Sequence, residues 1–189
     1  MNIIDSVHKG SRTMSKAKLT SVKVSLKLPY IGGLEGTWEA DESERKAAWE
    51  MYVELVTRIS VAELKPAEGL LREALSSLYT LFGTTRKILR EYGPSIAQPK
   101  GKDNLSFGYL AVAILNVALR PVLAKWHPLL LDYESRKKST VSPLEHERQW
   151  DKHEQLRQVL NEIRGVLIEY ADLLAKVAKV PSLIIQRTR

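Results

Sequence analysis

The feature that most constrains this chain is an uncharged stretch of 16 residues, numbers 104–119. Its apolar residues lie on nearly all sides of a helix and not along one stripe, which is typical of a helix packed inside a bundle. A membrane-spanning helix needs about 20 such residues, and Arg120 ends this run before that length is reached. The stretch therefore predicts a buried central helix that continues to about Leu131.

Local signals place two helices before this central one. Asp41 and Glu44 have the spacing of a capping box, so the first helix is predicted to begin near Thr37 or Asp41. Pro66 suits the first turn of a second helix, and Gly93 with the following proline ends that helix. The apolar positions predict that the first helix buries one face: Ala48, Trp49, Tyr52, Val53, Val56 and Ile59.

A fourth helix follows the central one. Ser142, a proline at the next position and Glu145 combine three helix-start signals, and an amphipathic pattern then continues to about Ala178. Pro121 and Pro128 lie inside the second half of the central helix and are expected to kink or break it. These four helices predict an all-α fold, an up-down four-helix bundle over residues 37–180.

The N-terminal segment, residues 1–36, carries one strand pattern. Residues 22–28 alternate strictly, which is typical of a half-buried strand, and Gly32 and Gly33 are interpreted as a flexible link. The helices offer no sheet for this strand, so we expect it to lie as an arm along the bundle or to extend a partner's sheet. A hairpin with residues 1–18 is a third option, but those residues do not alternate. The predicted partner-binding residues are Val22, Val24, Leu26 and Leu28.

The net charge of +7 belongs to the two ends of the chain. Residues 1–37 contain six lysines and arginines against two acids, and the segment after Ala175 contains four basic residues and no acid. The part between them is therefore close to neutral. Basic ends, including the C-terminal tail 181–189, favour nucleic-acid binding as an alternative function. The residues predicted for it are Lys16, Lys18, Lys23, Lys27, Arg86, Lys87 and Arg90.

No motif in the sequence predicts a catalytic or cofactor site. The absence of cysteine excludes disulfides, thiolate ligands and a cysteine nucleophile. No histidine follows a glutamate by three residues, as a di-iron bundle requires, and His146 and His153 are too far apart in sequence to share a metal. Gly32 to Gly36 lack the lysine and hydroxyl residue of a phosphate loop. We therefore expect no enzyme activity, no metal and no cofactor.

Two polar residues interrupt the apolar central helix. Asn116 is expected to be buried and to fix the register of helix packing, because an unpaired buried amide costs about 1 to 3 kcal/mol. Arg120 follows one turn later and is expected to pair with a carboxylate at the edge of the bundle.

Taken together, the sequence favours a non-enzymatic interaction subunit, an adaptor or scaffold in a larger cytoplasmic assembly. We expect a protein partner, with docking through helix faces and the N-terminal strand, and no membrane. Self-association into a homo-oligomer is left open. The alternative is a nucleic-acid-binding accessory protein, for example in a bacterial antiviral complex.

Overall fold

The computed structural model describes residues 19–29, 32–58 and 68–184. The fold is mostly helical, with 66% helix, five helices and a small two-stranded antiparallel sheet near the N-terminus. In chain order the elements are β1 (Thr20–Leu28), β2 (Gly32–Ala40), α1 (Glu42–Val56), α2 (Leu71–Tyr92), α3 (Phe107–Glu134), α4 (Pro143–Arg148) and α5 (His153–Ala178). A short 3₁₀ turn, Gly93–Ala97, follows α2.

The strand predicted at 22–28 is confirmed as part of β1, but the prediction that the chain offers no sheet for it is wrong. β1 pairs with β2 along its whole length, from Thr20 opposite Ala40 to Leu28 opposite Gly32. The apolar side of β1 packs against α5, and three of its four predicted partner-binding side chains are buried in the core: Val24, Leu26 and Leu28. Val22 is half-buried.

The predicted flexible link is therefore the second strand of a hairpin. β2 contains three glycines, which weaken a strand by themselves, but close packing explains one of them. A Cβ on Gly36 would lie 3.0 Å from both Asp103 and Leu105 in the loop before α3. The same loop binds β2 through the Thr37 amide, which donates to Asp103 Oδ2 at 2.6 Å. Tertiary contacts thus hold a segment whose own composition predicts a linker.

The helix α1 begins as predicted and buries a different face. Asp41 accepts from the Glu44 amide while the Glu44 side chain accepts from the Asp41 amide, which is the predicted capping box. The buried side of α1 consists of Glu44, Ala47, Ala48, Met51, Tyr52 and Leu55. Trp49 and Val53, predicted to be buried, are exposed. Because Ala47 and Met51 are also apolar, the sequence allowed two overlapping stripes, and packing selected the other one.

The central helix α3 runs unbroken through both prolines. A π-helical segment, Ile114–Leu119, lies directly before Arg120 and Pro121. Proline lacks an amide hydrogen and collides with the carbonyl four residues earlier in a regular α-helix. The wider π turn that precedes Pro121 departs from the regular α-helical geometry in which that collision occurs. Pro128 also lies inside the helix, which ends only at Glu134.

The prediction that Asn116 is buried is wrong, because its side chain is exposed, as is that of Arg120. Asn116 Oδ1 accepts a hydrogen bond from Arg120 Nε at 3.0 Å, so the two residues pair with each other across one helical turn. Arg120 forms no ion pair with a carboxylate within residues 19–29, 32–58 and 68–184, so its predicted pairing is also wrong. Its guanidinium group instead lies over the ring of Phe82. Residues four positions apart lie on the same face of a helix. Because Asn116 and Arg120 are both exposed, that face of α3 is in contact with solvent.

The predicted last helix is divided into α4 and α5. Its start is as predicted, since Ser142 accepts from the Glu145 amide with a proline at the first turn. Residues 149–152 leave the helix, and the buried Trp150 packs edge-on against Trp126 and stacks on Tyr133. Anchoring this large side chain in the core redirects the backbone between the two helices.

Two buried glutamates join distant parts of the chain. Glu44 accepts from Trp38 Nε1 at 3.1 Å, from the Phe107 amide at 2.9 Å and from Lys100 Nζ at 2.8 Å. It therefore caps α3 as well as α1. Glu147 accepts from the Leu71 amide at 2.8 Å and the adjacent Arg72 amide at 3.2 Å, and caps α2, which has no side-chain cap of its own.

Candidate binding cleft between α2 and α3

An open cleft of about 490 Å³ lies between the second half of α2 and the middle of α3. Its lining residues are Tyr79, Phe82, Arg86, Arg120, Leu123, Ala124 and His127. The volume falls within the range of small-molecule sites, about 300 to 1,000 Å³. Aromatic and aliphatic walls with a few polar groups are also typical of such sites.

Arg120 is held at one side of this cleft by two contacts. Its Nε donates to Asn116 Oδ1, and the carbon at the centre of its guanidinium group lies 5.4 Å from the centre of the Phe82 ring. The first contact uses only one of the five N–H donors of an arginine. The remaining donors are therefore free to bind an acceptor in the cleft.

The positive charge of the cleft comes from Arg86 and Arg120. Both side chains are exposed, and neither forms an ion pair with a carboxylate in the described parts of the chain. The residues that line the cleft include no aspartate or glutamate. An anion that enters the cleft would thus meet two cations and no competing negative charge.

His127, at the other end of the cleft, is neutral. Its Nδ1 lies 3.0 Å from Arg72 Nη1, and because arginine can only donate, this contact is a hydrogen bond when Nδ1 carries no proton. Partial burial lowers the pKa of His127, and the charge of Arg72 lowers it further; the Leu75 carbonyl and the Glu134 carboxylate act in the opposite direction. Arg72 itself is neutralised by a two-pronged ion pair with Glu134.

The cleft belongs to a longer exposed surface on α3. We define the uncovered face as Tyr109, Val112, Asn116, Arg120, Ala124 and Leu131. Tyr109 is 52% exposed, Val112 41% and Leu131 63%, so large apolar side chains face solvent at both ends. The sequence prediction of a helix buried on nearly all sides is therefore only partly correct.

The helix α3 is also long and apolar enough to cross a membrane, the one such helix among the described residues. In its most apolar window, 56% of the residues are buried inside the protein. A core helix of a soluble protein gives the same result, so its length and composition do not indicate a membrane.

The structure brings together only some of the residues predicted to bind nucleic acid. Arg86 lines the cleft, while Lys87 and Arg90 lie exposed nearby on α2, and Lys23 and Lys27 are exposed on the outer side of β1. Two further members of the predicted set lie outside the described residues: Lys16 and Lys18.

The histidines on α4 and α5 have structural partners. His146 stacks on Tyr133 with ring centres 4.2 Å apart and its Nε2 lies 3.0 Å from the Tyr133 carbonyl oxygen. His153 Nδ1 lies 2.9 Å from Glu154. Within residues 19–29, 32–58 and 68–184, no group of three or more histidine or acidic side chains is arranged to hold a metal ion.

Sequence reasoning missed the aromatic half of the cleft. Tyr79, Phe82 and Arg86 recur at helical spacing on α2, but the helix-start and helix-end signals of that segment do not indicate which of its faces lines a cleft. The available signal was the polar pair Asn116 and Arg120, which marks the side of α3 that other elements leave open. Comparisons of the chain with protein-family models, curated proteins and solved structures gave no match.

Proposed function

We propose that this chain is a non-enzymatic interaction subunit, an adaptor that binds a partner protein through the uncovered face of α3. The observation that carries the proposal is the exposure of Tyr109, Val112 and Leu131 on a helix whose opposite side forms the core. Exposed apolar surface bordered by polar residues, here Asn116 and Arg120, is a feature of interaction sites. Aromatic and arginine side chains, as found here, are enriched among the residues that dominate binding energy.

The size and charge of this face fit an acidic protein segment. Tyr109 and Leu131 are 22 residues apart, which corresponds to about 33 Å at 1.5 Å per residue. That length suits a helix lying along a groove, anchored at several turns. Arg86 and Arg120 lie near its middle without carboxylate partners among the described residues, so charge complementarity favours a partner with acidic residues flanking its apolar side chains.

The arrangement of the four long helices supports the proposal. α1 packs mainly against α5, and α2 contacts α1, α3 and α5. We propose that these four helices form the up-down four-helix bundle predicted from the sequence, with the hairpin covering part of α5. Such a bundle gives α3 a rigid support, so its outer side can bind a partner with little loss of conformational entropy.

Co-purification with matched variants tests the proposed function. The tagged chain is recovered from its native cells at about 50 and about 200 mM salt, where nucleic-acid binders lose affinity steeply. We expect a protein in fixed stoichiometry at both salt concentrations. Val112→Glu should reduce its recovery at least about tenfold, because a buried unpaired carboxylate costs at least about 1.4 kcal/mol.

Val53→Glu is the control for this experiment. Val53 is 37% exposed and Val112 is 41% exposed, but Val53 lies on α1 and outside the cleft. It should leave recovery unchanged. Equal recovery with Val112→Glu and the wild type, or equal loss with both variants, would contradict docking on α3. If light scattering shows homo-oligomers and no second protein is recovered, the partner that binds this face is another copy of the same chain.

Nucleic-acid binding is the second candidate, supported by one observation. Arg86, Lys87 and Arg90 are all exposed on the second half of α2, so three cations are available to phosphates. In that case the chain should bind duplex DNA or RNA with an affinity that falls as salt rises. Replacing all three residues by glutamine should reduce both the affinity and its dependence on salt, whereas Val112→Glu should have little effect.

A further inference from the structure

We infer that the cleft between α2 and α3 is a binding site for an organic anion, a small molecule with an acidic group attached to a flat apolar body. The inference concerns a ligand of the isolated chain and goes beyond docking to a partner protein.

The walls of the cleft are mainly aromatic and aliphatic. Tyr79 and Phe82 from α2 face Leu123 and Ala124 from α3, and most of the lining surface is apolar. Tyr79 is 62% exposed, with its ring 6.3 Å from that of Phe82 and 5.9 Å from that of His127. An aromatic ring between these side chains would gain stacking contacts and would cover apolar surface that is now in water.

The acidic group of the ligand would bind between the two arginines of the cleft. Arg86 and Arg120 come from different helices and line the same cleft, so one anionic group between them would receive charge-assisted hydrogen bonds from both helices. His127 carries no charge at neutral pH, because burial and Arg72 lower its pKa. The attraction therefore depends on these two arginines, and Arg72 contributes little because Glu134 already neutralises it.

Asn116 is a positioning residue in this arrangement. Its Oδ1 accepts from Arg120 Nε at 3.0 Å, while the Arg120 guanidinium carbon lies over the Phe82 ring. The side chain of Arg120 is thus ordered before a ligand arrives, which reduces the entropy lost on binding. This gives the exposed asparagine a role that helix packing does not explain.

Phenyl phosphate is the probe that tests the inference, followed by NMR on the ¹⁵N-labelled full chain. The arginine Nε–Hε signals and the amides around the cleft report binding directly. We expect saturable shifts of the Arg86 and Arg120 signals with a Kd of about 1 mM or below, which is a modest affinity for so small a ligand. Inorganic phosphate and benzyl alcohol, each with half of the chemistry, should bind at least about fivefold more weakly.

Matched variants complete the experiment. Arg86→Gln and Arg120→Gln should each weaken phenyl phosphate at least about fivefold, because each removes one charge-assisted contact. Arg90→Gln is the control, since Arg90 is an exposed arginine one turn further along α2 and does not line the cleft. The inference is overturned by an absence of shifts at about 10 mM probe, by equal binding of inorganic phosphate, or by equal weakening with Arg90→Gln.

Discussion

At the scale of single residues, two buried carboxylates organise the helix ends. Glu44 is fully buried and binds groups from β2, from the start of α1, from Lys100 and from the start of α3. Each of its oxygens accepts two hydrogen bonds, so its charge is compensated in full. The ion pairs with Glu44 and Asp41 raise the pKa of Lys100 against the opposing effect of its burial, and the lysine stays charged.

We predict that Glu44→Gln lowers the free energy of unfolding by roughly 3 to 5 kcal/mol, because Lys100 loses its buried partner and the amide cannot accept all four bonds. Urea denaturation followed by circular dichroism measures this loss. Glu42→Gln is the control: Glu42 forms an exposed ion pair with Arg45, and its loss should cost less than about 1 kcal/mol. Similar effects of the two changes would show that Glu44 does not join these elements.

The lowered pKa of His127 predicts how the stability of the protein changes with pH. Its pKa in the folded protein is lowered from 6.5, so the unfolded chain takes up the proton first as pH falls. The free energy of unfolding should therefore decrease as pH drops through about 6.5, and this decrease ends below the folded-state pKa. His127→Asn should flatten the change in Tm between about pH 7.5 and 5.5. A steeper pH dependence in the variant would contradict the assignment.

At the scale of elements, local signals in the sequence were sufficient for some boundaries and not for others. The capping box of α1, the alternation in β1 and the serine cap of α4 depend on a few neighbouring residues and are confirmed. β2 was missed because its glycines predict a loop, and the tertiary contact that explains one of them, between Gly36 and the loop before α3, cannot be read from the sequence.

Other features that the sequence did not predict depend on contacts between residues far apart in the chain. Glu147 caps α2 from 76 residues away in sequence, which no spacing rule detects. The division between α4 and α5 depends on the packing of Trp150 against α3. The cleft has the same origin: its two arginines lie on separate helices, and only the crossing of α2 with α3 brings them to one site.

If β1 is part of the core, truncation of its buried side chains should destabilise the protein, which is not expected for a free arm. Leu26→Ala should lower the free energy of unfolding by roughly 2 to 5 kcal/mol, because Leu26 is buried where β1 packs on α5 and its truncation leaves a cavity. Lys27→Ala, its exposed neighbour, should change stability by less than about 0.5 kcal/mol. Thermal melts of the full chain would measure both effects. A negligible effect of Leu26→Ala would support the alternative that β1 is an arm outside the core.

At the scale of the whole molecule, the central helix has two different sides. One side forms the core with Phe107, Leu110, Ala118 and Trp126, and the other presents the uncovered face. A single apolar sequence thus supplies both the core and an exposed surface, which we propose binds a partner protein. The basic ends predicted to matter for nucleic acid fall largely outside the described residues, whereas the cleft and the uncovered face lie within them.

Site-specific photo-crosslinking tests most directly whether the uncovered face of α3 contacts a partner protein. A benzophenone amino acid is placed in the full chain at Tyr109, at Leu131 or at Trp49, which is 41% exposed on α1, and the cells are irradiated. We predict that Tyr109 and Leu131 crosslink to the same protein and that Trp49 does not. A crosslink from Trp49 alone, or no crosslinked protein from either α3 position, would contradict the account.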